Sequence, residues 1–175
     1  MNNIMKVLNL IRHGKASYDT SMDNDFRRPL NEKGESNSNF LNEHLARYNL
    51  GKHKILCSAA LRTRGTLNCL EDSLNRDSKI IYTNDLYLAN SKEIIRQLSL
   101  EKDLRMVTIV GHNPGLSDLL VFLSGRFGLR DMPTSSIAQL EFTEKRKKIL
   151  SEASAKINFF IQSKDRTITN LLEES

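Results

Sequence analysis

The segment Met5–Gly14 reads MKVLNLIRHG, a short apolar run that ends in an arginine, a histidine and a glycine. A run of this length, bounded by turn residues, is typical of a strand buried on both faces of a parallel sheet. Comparable runs occur at 53–57, 79–83, 106–110, 137–142 and 157–161. The opening segment therefore predicts the first of six strands, with its polar end at one edge of a sheet.

Helical patterns separate the first three predicted strands. Pro29 and Asn31 open a helix whose apolar residues recur at three- and four-residue spacing, and Gly51 ends it. A second helix is predicted over about 61–74, where leucines share one face. Strands that alternate with helices in this way predict a three-layer α/β/α fold with a mostly parallel central sheet.

Two further helices have recognisable ends. Asn90, with Glu93 three residues later, predicts a capping box at the start of the third helix. Asn113 and Pro114 predict the cap and the first residue of the fourth helix, which Gly125 ends. Each helix therefore follows directly on the polar residues beyond a strand.

Composition describes a folded protein. The 175 residues, 39% apolar and 27% charged, indicate one domain over residues 1–175 with a loose tail from about residue 165. The apolar run at 4–11 is short, carries Lys6 and is followed by no small-residue cleavage site. No run approaches the roughly eighteen apolar residues of a membrane span. We therefore expect a cytoplasmic protein that has no membrane contact.

The net charge of +5 suits an anionic partner, which could be nucleic acid, a membrane surface or a phosphate group. Only 6% of residues are aromatic and none is tryptophan, so the chain is poorly supplied for stacking on bases. The basic run Lys145–Lys148 is either a solvated face or a docking patch for an acidic protein. Composition thus argues against nucleic acid without choosing between the other partners.

Cysteine and histidine spacing predicts neither a disulfide scaffold nor a metal site. Cys57 and Cys69 form no ligand pattern with the histidines and are expected to be small core residues. His44 is expected to be partly buried on a helix face, and His53 to be exposed at the start of a strand. We predict no metal and no cofactor.

The ends of three predicted strands carry residues suited to binding phosphate. Arg12 and His13 end the first, Ser58 and then Arg62 follow the second, and His112 follows the fourth. Ligands of open α/β sheets bind beyond the carboxyl ends of strands, so these side chains should meet there. Guanidinium groups match tetrahedral oxyanions, and imidazole can act as nucleophile or cation. The sequence therefore predicts a phosphoryl-group pocket.

Five ordered motifs carry a resemblance to a known family. They are RHGKA (12–16), RPLNEKG (28–34), CSAALRTRGTL (57–67), VGHNPGL (110–116) and PTSSIAQLEF (133–142). In this order and spacing the chain resembles the histidine phosphatase superfamily, which includes the phosphoglycerate mutases. Within it the chain is most similar to the small SixA-type phosphohistidine phosphatases. The resemblance extends from about residue 4 to 164 and implies a phosphoglycerate mutase-like fold.

The resemblance also implies roles for individual residues. His13 would be the nucleophile that carries a transient phosphohistidine. Gly14 would allow a tight turn, with its carbonyl holding the far nitrogen of His13. The residues implied to surround the phosphate are Arg12, Arg62, His112 and Asn113. Arg28 and Pro29 match a family feature near the site mouth, without an implied catalytic role. Arg64 is expected to be solvated or paired.

One departure from the family pattern bears on the substrate. Many members have a proton-donating glutamate where this chain has Leu88. A sugar alkoxide needs a proton in order to leave, whereas an imidazole leaving from a P–N bond can arrive already protonated. We therefore expect a preference for P–N substrates. Asp19 or Glu93 could replace the acid, although Glu93 is expected to cap its helix.

Chain length indicates an open pocket. Only 50 positions separate Arg62 from His112, and the predicted helix, strand and helix fill them, which leaves no lid. An open pocket suits a phosphorylated protein, with 134–136 either lining its mouth or forming a capped turn. The expected function is a metal-independent phosphohistidine phosphatase of signalling or phosphorelay proteins. The alternatives are a phosphatase or mutase of phosphorylated sugars or glycerate, and a non-catalytic phosphate-binding module.

Overall fold

The computed structural model describes residues 5–18, 24–48, 50–74, 76–101, 105–129, 131–142 and 150–172. Strands in this part of the chain are β1 (Val7–Arg12), β2 (Lys54–Ser58), β3 (Lys79–Thr83), β4 (Met106–Gly111), β5 (Ser136–Phe142), β6 (Ala155–Lys164) and β7 (Thr167–Asn170). The α-helices are α1 (Glu32–Leu45), α2 (Leu61–Cys69), α3 (Ser91–Leu100) and α4 (Gly115–Ser124). Single 3-10 turns lie at Asp25–Arg27, Ala46–Tyr48 and Asn84–Leu86.

All the strands belong to one sheet with the order β3-β2-β4-β1-β5-β6-β7. β1 to β4 pair in parallel, whereas β5, β6 and β7 are antiparallel to their neighbours. The α/β class is confirmed, and the sheet is mixed, with its parallel half formed by the first four strands. Helices α1, α2 and α3 join the four parallel strands, as parallel pairing requires, and α4 joins β4 to the antiparallel β5.

Helices cover both faces of the sheet. Leu8 and Leu10 of β1 pack into a core with α3 and α4, while Ile11 packs into a second core with α1 and α2. Successive side chains of a strand point to opposite faces, so β1 needs apolar residues on both. This explains why its sequence is a continuous apolar run, and it confirms the three-layer arrangement.

The expectation of a loose tail from about residue 165 is wrong. Residues 167–170 form β7, and Leu171 is buried, with its backbone N–H donating to the carbonyl of Phe160 at 2.7 Å. The turn before β7 uses Asp165 and Arg166 with φ of 48° and 57°. Hairpin turns with positive φ usually carry glycine or asparagine, so this turn has no sequence pattern by which to recognise it.

Two predicted helix starts had different outcomes. The capping box is confirmed, since Asn90 Oδ1 accepts from Glu93 N at 3.0 Å and Glu93 Oε2 accepts from Asn90 N at 2.8 Å. Asn113, by contrast, does not cap α4, because its side chain donates to the carbonyl of Met132 at 2.9 Å. Helix α4 begins at Gly115, and Pro114 precedes it without a side-chain cap.

The predicted helix ends had mixed outcomes, since α1 ends at Leu45 and a 3-10 turn follows it at Ala46–Tyr48, before the predicted stop at Gly51. Gly125 ends α4 in the left-handed conformation with φ of 69°, as predicted. Helix α2 is shorter than predicted, because it ends at Cys69 and a series of turns carries the chain on to Leu74. Cys57 is buried and Cys69 half-buried, which fits the core role expected of them. No described helix is long and apolar enough to cross a bilayer.

Candidate active site

The polar ends of β1, β2 and β4 lie side by side because these strands are neighbours in the sheet. Arg12 pairs with Gly111 across β1 and β4, so the residues that follow these strands leave the sheet together. The rings of His13 and His112 are 5.1 Å apart between centroids. Arg62, in the first turn of α2, reaches His13 from the β2 side. The structure thus places the four predicted residues in one cluster.

His13 has one nitrogen committed to the protein and one facing Arg62. Its Nδ1 lies 2.7 Å from the carbonyl oxygen of Gly14, which can only accept, so Nδ1 carries the proton. Nε2 then has the lone pair and accepts from Arg62 Nε at 3.3 Å. Burial, and to a lesser degree the charges of Arg62 and Arg12, lower the pKa of His13 to about 4. The imidazole is therefore neutral and nucleophilic at pH 7.

Gly14 holds this imidazole from a tightly packed turn. Its N–H donates to Thr66 Oγ1 at 2.8 Å, and the Thr66 hydroxyl donates to the carbonyl of Arg62 at 2.8 Å. A Cβ on Gly14 would lie 2.8 Å from both Gly34 O and Ser38 Oγ, closer than real Cβ contacts. Glycine is required here because α1 and α2 close on the turn from both sides.

His112 is oriented by Ser58. The two side chains are 2.8 Å apart between Nε2 and Oγ, and Ser58 Oγ also lies 3.5 Å from the N–H of Ala60. The hydroxyl can donate to Nε2 or accept from it, and the donating arrangement puts the ring proton of His112 on Nδ1. Burial, followed by the nearby His13 and Arg62, lowers the pKa of His112 to about 3. His112 is thus neutral, and in the donating arrangement of Ser58 it is an N–H donor.

Arg12 is anchored by its outer edge. Its Nη1 donates to the carbonyl of Met132 at 2.6 Å, and Asn113 Nδ2 donates to the same carbonyl. Asn113 therefore supports Arg12 through Met132, and this contact uses one of the two N–H groups of its side-chain amide. Arg12 Nε and His112 Nδ1 are buried and have no hydrogen-bond partner among the described residues. Two such N–H donors beside His13 suit an anionic group.

Asp25 is the site residue that sequence reasoning missed. Its Oδ2 accepts from Arg62 Nη2 at 2.8 Å and from the Tyr87 hydroxyl at 2.7 Å, and its Oδ1 accepts from Arg28 Nη1 at 2.8 Å. Its backbone carbonyl accepts from Arg62 Nη1 at 2.6 Å. The Tyr87 hydrogen bond, followed by the charge of Arg62 and the hydrogen bond from Arg28, holds the pKa of Asp25 at about 2.

The only local indication of Asp25 was its place three residues before the Arg28-Pro29 motif. The loop that contains it looked irregular, and its partners Arg62 and Tyr87 are 37 and 62 positions away. No periodicity or cap pattern connects residues so far apart. Tyr87 was passed over for the same reason, although its ring lies 5.5 Å from that of His112.

Several residues considered from sequence lie outside the cluster or at its border. Arg64 is exposed and lies over the ring of Tyr82, 5.0 Å from its centroid, so it is not part of the site. Arg28 is at the border, where it holds Asp25 and the carbonyl of Ser17. Leu88 is exposed, with φ of 50°. Asp19 and Lys145–Lys148 lie outside the described residues.

The segment 133–136 supports the backbone of the site. The Ser135 N–H donates to the carbonyl of His13 at 3.2 Å, and Ser136 Oγ donates to the carbonyl of Pro133 at 2.6 Å. Both serines are buried; Ser136 Oγ closes the turn, whereas Ser135 Oγ has no hydrogen-bond partner among the described residues.

His53 is buried, so the expectation that it would be exposed is wrong. Its two ring nitrogens lie 2.8 Å from Gly51 O and 2.8 Å from Thr108 Oγ1, away from the cluster. His44 is half-buried, as expected. Within the part of the chain that the structure describes, no group of three His, Cys, Asp or Glu side chains could hold a metal ion. The absence of a metal stays a prediction.

Comparison with known proteins finds similarity to one family model and to several solved structures. Residues 8–87 match the model of the histidine phosphatase superfamily, branch 1. A solved structure of the proposed phosphohistidine phosphatase SixA from Agrobacterium tumefaciens aligns with a TM-score of 0.78 and 25% identity, covering 90% of this chain and 97% of that one. Among curated proteins none matches the sequence significantly.

Two further solved structures share the fold. The protein histidine phosphatase SixA complexed with tungstate aligns with a TM-score of 0.72 and 23% identity, covering 90% of this chain and 96% of that one. A proposed α-ribazole-5'-phosphate phosphatase from Escherichia coli aligns with a TM-score of 0.66 and 15% identity, covering 95% of this chain and 99% of that one. The fold is thus shared by proteins described as acting on proteins and on small molecules.

Proposed function

We propose that this chain is a member of the histidine phosphatase superfamily that removes phosphate from phosphohistidine on a protein through a phospho-His13 intermediate. The observation that carries the proposal is the state of His13. Gly14 holds Nδ1, which leaves a lone pair on Nε2 beside the guanidinium of Arg62. A neutral imidazole fixed in this tautomer is ready to attack phosphorus.

The first step transfers the phosphoryl group to His13. Its Nε2 lone pair forms the new P–N bond, while the old P–N bond breaks and its electron pair goes to the leaving imidazole. His13 keeps its Nδ1 proton, which the Gly14 carbonyl stabilises as the ring becomes cationic. Arg12, Arg62 and His112 donate to the equatorial oxygens, where charge neutralisation lowers the barrier.

The second step returns the site to its starting state. A water oxygen attacks phosphorus, the bond to Nε2 breaks, and the electron pair returns to Nε2. The two protons of the water stay with the phosphate that is released, so His13 is again neutral. The low pKa of His13 favours this step, because burial destabilises the cationic phospho-ring relative to the neutral imidazole.

We propose a P–N bond in the substrate, and not a P–O bond, because no carboxyl group among the described residues of the site could protonate a leaving alkoxide. Asp25 is ionised at neutral pH and Leu88 stands where many relatives have a glutamate, so neither supplies a proton to an alkoxide. A sugar phosphate needs such a proton, and an imidazole that is already protonated does not. The 25% identity to the proposed SixA of Agrobacterium tumefaciens supports the same substrate class. A signalling role and a cytoplasmic location remain predictions from sequence.

The main alternative is a small-molecule phosphatase or mutase. Structures with this fold include a proposed α-ribazole-5'-phosphate phosphatase and a mycobacterial glucosyl-3-phosphoglycerate phosphatase, at 15% identity each. The other alternative is a phosphate-binding module without catalysis. A pure binding site would have no need of a neutral nucleophile at His13, which is why we prefer the enzyme.

The test compares three substrates: a phosphohistidine domain, a sugar phosphate and an aryl phosphate. We expect the wild-type protein to release phosphate fastest from the phosphohistidine domain. His13→Ala should lose about 10³-fold or more of that rate, since it removes the nucleophile. His44→Ala, a half-buried histidine outside the cluster, serves as the matched control and should keep the rate. Alkaline quenching and mass spectrometry should find the phosphate on the peptide that contains His13.

Other results would favour the alternatives. Release from the sugar phosphate alone would identify a metabolic phosphatase. Release from none of the three substrates, with phosphate still bound at equilibrium, would identify a binding module.

A further inference from the structure

Asp25 has a carboxylate that is held rigidly and still has room for one more donor. An ionised carboxylate offers about four acceptor sites. Arg62 and Tyr87 occupy two on Oδ2, and Arg28 occupies one on Oδ1. The side chain is nevertheless 42% exposed. Oδ1 can therefore accept one hydrogen bond from a molecule that enters the site.

The surroundings of Asp25 suit a flat aromatic ring. Phe26 follows it in the chain and packs edge-on against Tyr87, with ring centroids 5.0 Å apart. The Tyr87 ring in turn lies 5.5 Å from His112. These half-buried rings form a wall that leads from Asp25 to the phosphate-binding donors. Aromatic side chains pack favourably against an imidazole ring.

We infer that Asp25 is a catalytic residue specific for P–N bonds, whose carboxylate accepts a hydrogen bond from the free ring N–H of the leaving imidazole. The inference rests on the proposed function. The leaving imidazole must carry a proton on its unphosphorylated nitrogen so that it departs neutral when the P–N electron pair reaches the other nitrogen. A carboxylate beside that N–H stabilises the protonated, reactive form of the substrate.

The attacking imidazole of His13 and the leaving imidazole of the substrate would each have a hydrogen-bond acceptor on the nitrogen that is not bonded to phosphorus. Gly14 O accepts from Nδ1 of the attacking His13, and Asp25 accepts from the corresponding nitrogen of the leaving ring. Phosphoryl transfer then moves one positive charge from the leaving ring to His13, and each ring keeps its own proton. An ionised carboxylate is the right group for this task, whereas an ester leaving as an anion would be repelled by it.

The test measures kcat/KM for a phosphohistidine domain and for an aryl phosphate with wild type, Asp25→Asn and Asp25→Glu. Asparagine keeps the size of the side chain and an oxygen acceptor for Arg62 and removes the charge. We expect Asp25→Asn to lower the ratio of phosphohistidine to aryl phosphate kcat/KM by about tenfold or more, and Asp25→Glu to restore part of it. In Asp25→Asn the phosphohistidine rate should also begin to fall at a lower pH, because the substrate ring loses its proton earlier.

Asp72→Asn is the matched control. Asp72 also forms an ion pair with an arginine, Arg76, but this pair follows the C-terminal end of α2, whereas Arg62 lies at the N-terminal end. The control variant should leave the ratio and the pH profile unchanged. An equal loss on both substrates in Asp25→Asn would mean that Asp25 only positions Arg62, and would overturn the inference while the proposed function stands. A wild-type protein that hydrolyses the aryl phosphate and leaves phosphohistidine intact would overturn the proposed function itself.

Discussion

At the scale of single residues, His13 and His112 are held in a similar way. In each ring a protein oxygen lies within 2.8 Å of one nitrogen, Gly14 O for His13 and Ser58 Oγ for His112. The other nitrogen is left for chemistry, as a lone pair on His13 and, where Ser58 donates, as an N–H on His112. Two identical side chains 5.1 Å apart can thereby take opposite roles, because a carbonyl accepts from one and a hydroxyl can donate to the other.

The first prediction concerns protonation of His13. Nitrogen-15 NMR should show the Nδ1–H tautomer at pH 7 and titration near pH 4, where burial has lowered the pKa. Because an unfolded histidine titrates at about 6.5, the native state binds fewer protons. The stability this provides is complete above about pH 6.5 and is lost as the pH falls toward 4.

His13→Asn identifies the His13 resonance and serves as the control for stability. Between about pH 7.5 and pH 5, its free energy of unfolding should fall less than that of wild type. Titration of His13 near its ordinary value of about 6.5, or identical pH dependence in the two proteins, would contradict the tautomer and charge assigned to this ring.

At the scale of elements, a chain of hydrogen-bonded polar side chains crosses the sheet, buried at its His53 end and exposed at its Asn158 end. Its members lie before β2 and on β4, β1, β5 and β6, in the order His53, Thr108, Asn9, Gln139 and Asn158. The direction of the hydrogen bonds is fixed at one end, because Nδ1 of His53 can only donate to the carbonyl of Gly51. The Thr108 hydroxyl then donates to His53 and accepts from Asn9. The links at the His53 end satisfy the buried polar groups of His53, Thr108 and Asn9.

The prediction at this scale is that Thr108→Val destabilises the fold. Valine fills the same volume, and it leaves His53 Nε2 and one N–H of Asn9 buried without partners. We expect a loss of about 2–4 kcal/mol in the free energy of unfolding, measured by urea denaturation. Ile109→Val, the neighbouring residue on β4, removes one methylene and should cost about 0.5–1.5 kcal/mol. A cost for Thr108→Val no larger than that control would show that the polar chain adds nothing to stability.

The elements also show where sequence reasoning succeeds. The Asn90–Glu93 box and the stop at Gly125 involve residues within one turn of each other, so the sequence predicts them directly. The buried position of His53 depends on Thr108, 55 positions away on the neighbouring strand. β7 was missed because its pairing depends on β6 and its turn contains no glycine. Local sequence patterns therefore predicted the order of the elements. The features that were missed, the burial of His53 and strand β7, depend on contacts with residues outside the local pattern.

At the scale of the whole molecule, the difference between local patterns and distant contacts also explains which residues of the site were predicted and which were missed. Arg12, His13, Arg62 and His112 were predictable because each follows a strand end, and parallel topology brings strand ends together. Asp25 lies in a loop between β1 and α1, and only the folded chain brings its carboxylate to Arg62. Its negative charge offsets part of the positive charge of the pocket. Arg12, Arg62 and Asp25 together contribute one net positive charge, so most of the net +5 of the chain lies outside the phosphate site.

The last prediction tests whether that surface charge serves a protein substrate. For an acidic phosphohistidine domain, kcat/KM should fall about tenfold as ionic strength rises from about 0.01 M to about 1 M, because screening shortens from about 30 Å to about 3 Å. For phosphoimidazole, which meets only the pocket, the fall should be smaller. Lys15→Gln removes an exposed charge two residues from His13, and should weaken the protein reaction by about threefold at low salt.

Lys79→Gln makes the same change at the exposed start of β3, away from the carboxyl ends of the strands, and is the matched control. It should alter the protein reaction less than Lys15→Gln does. Parallel salt dependence for the two substrates, together with equal effects of the two lysine variants, would mean that the substrate is recognised by its phosphoryl group alone. The net charge would then give no support to a protein substrate, and the case for one would rest on the P–N chemistry at His13 and Asp25.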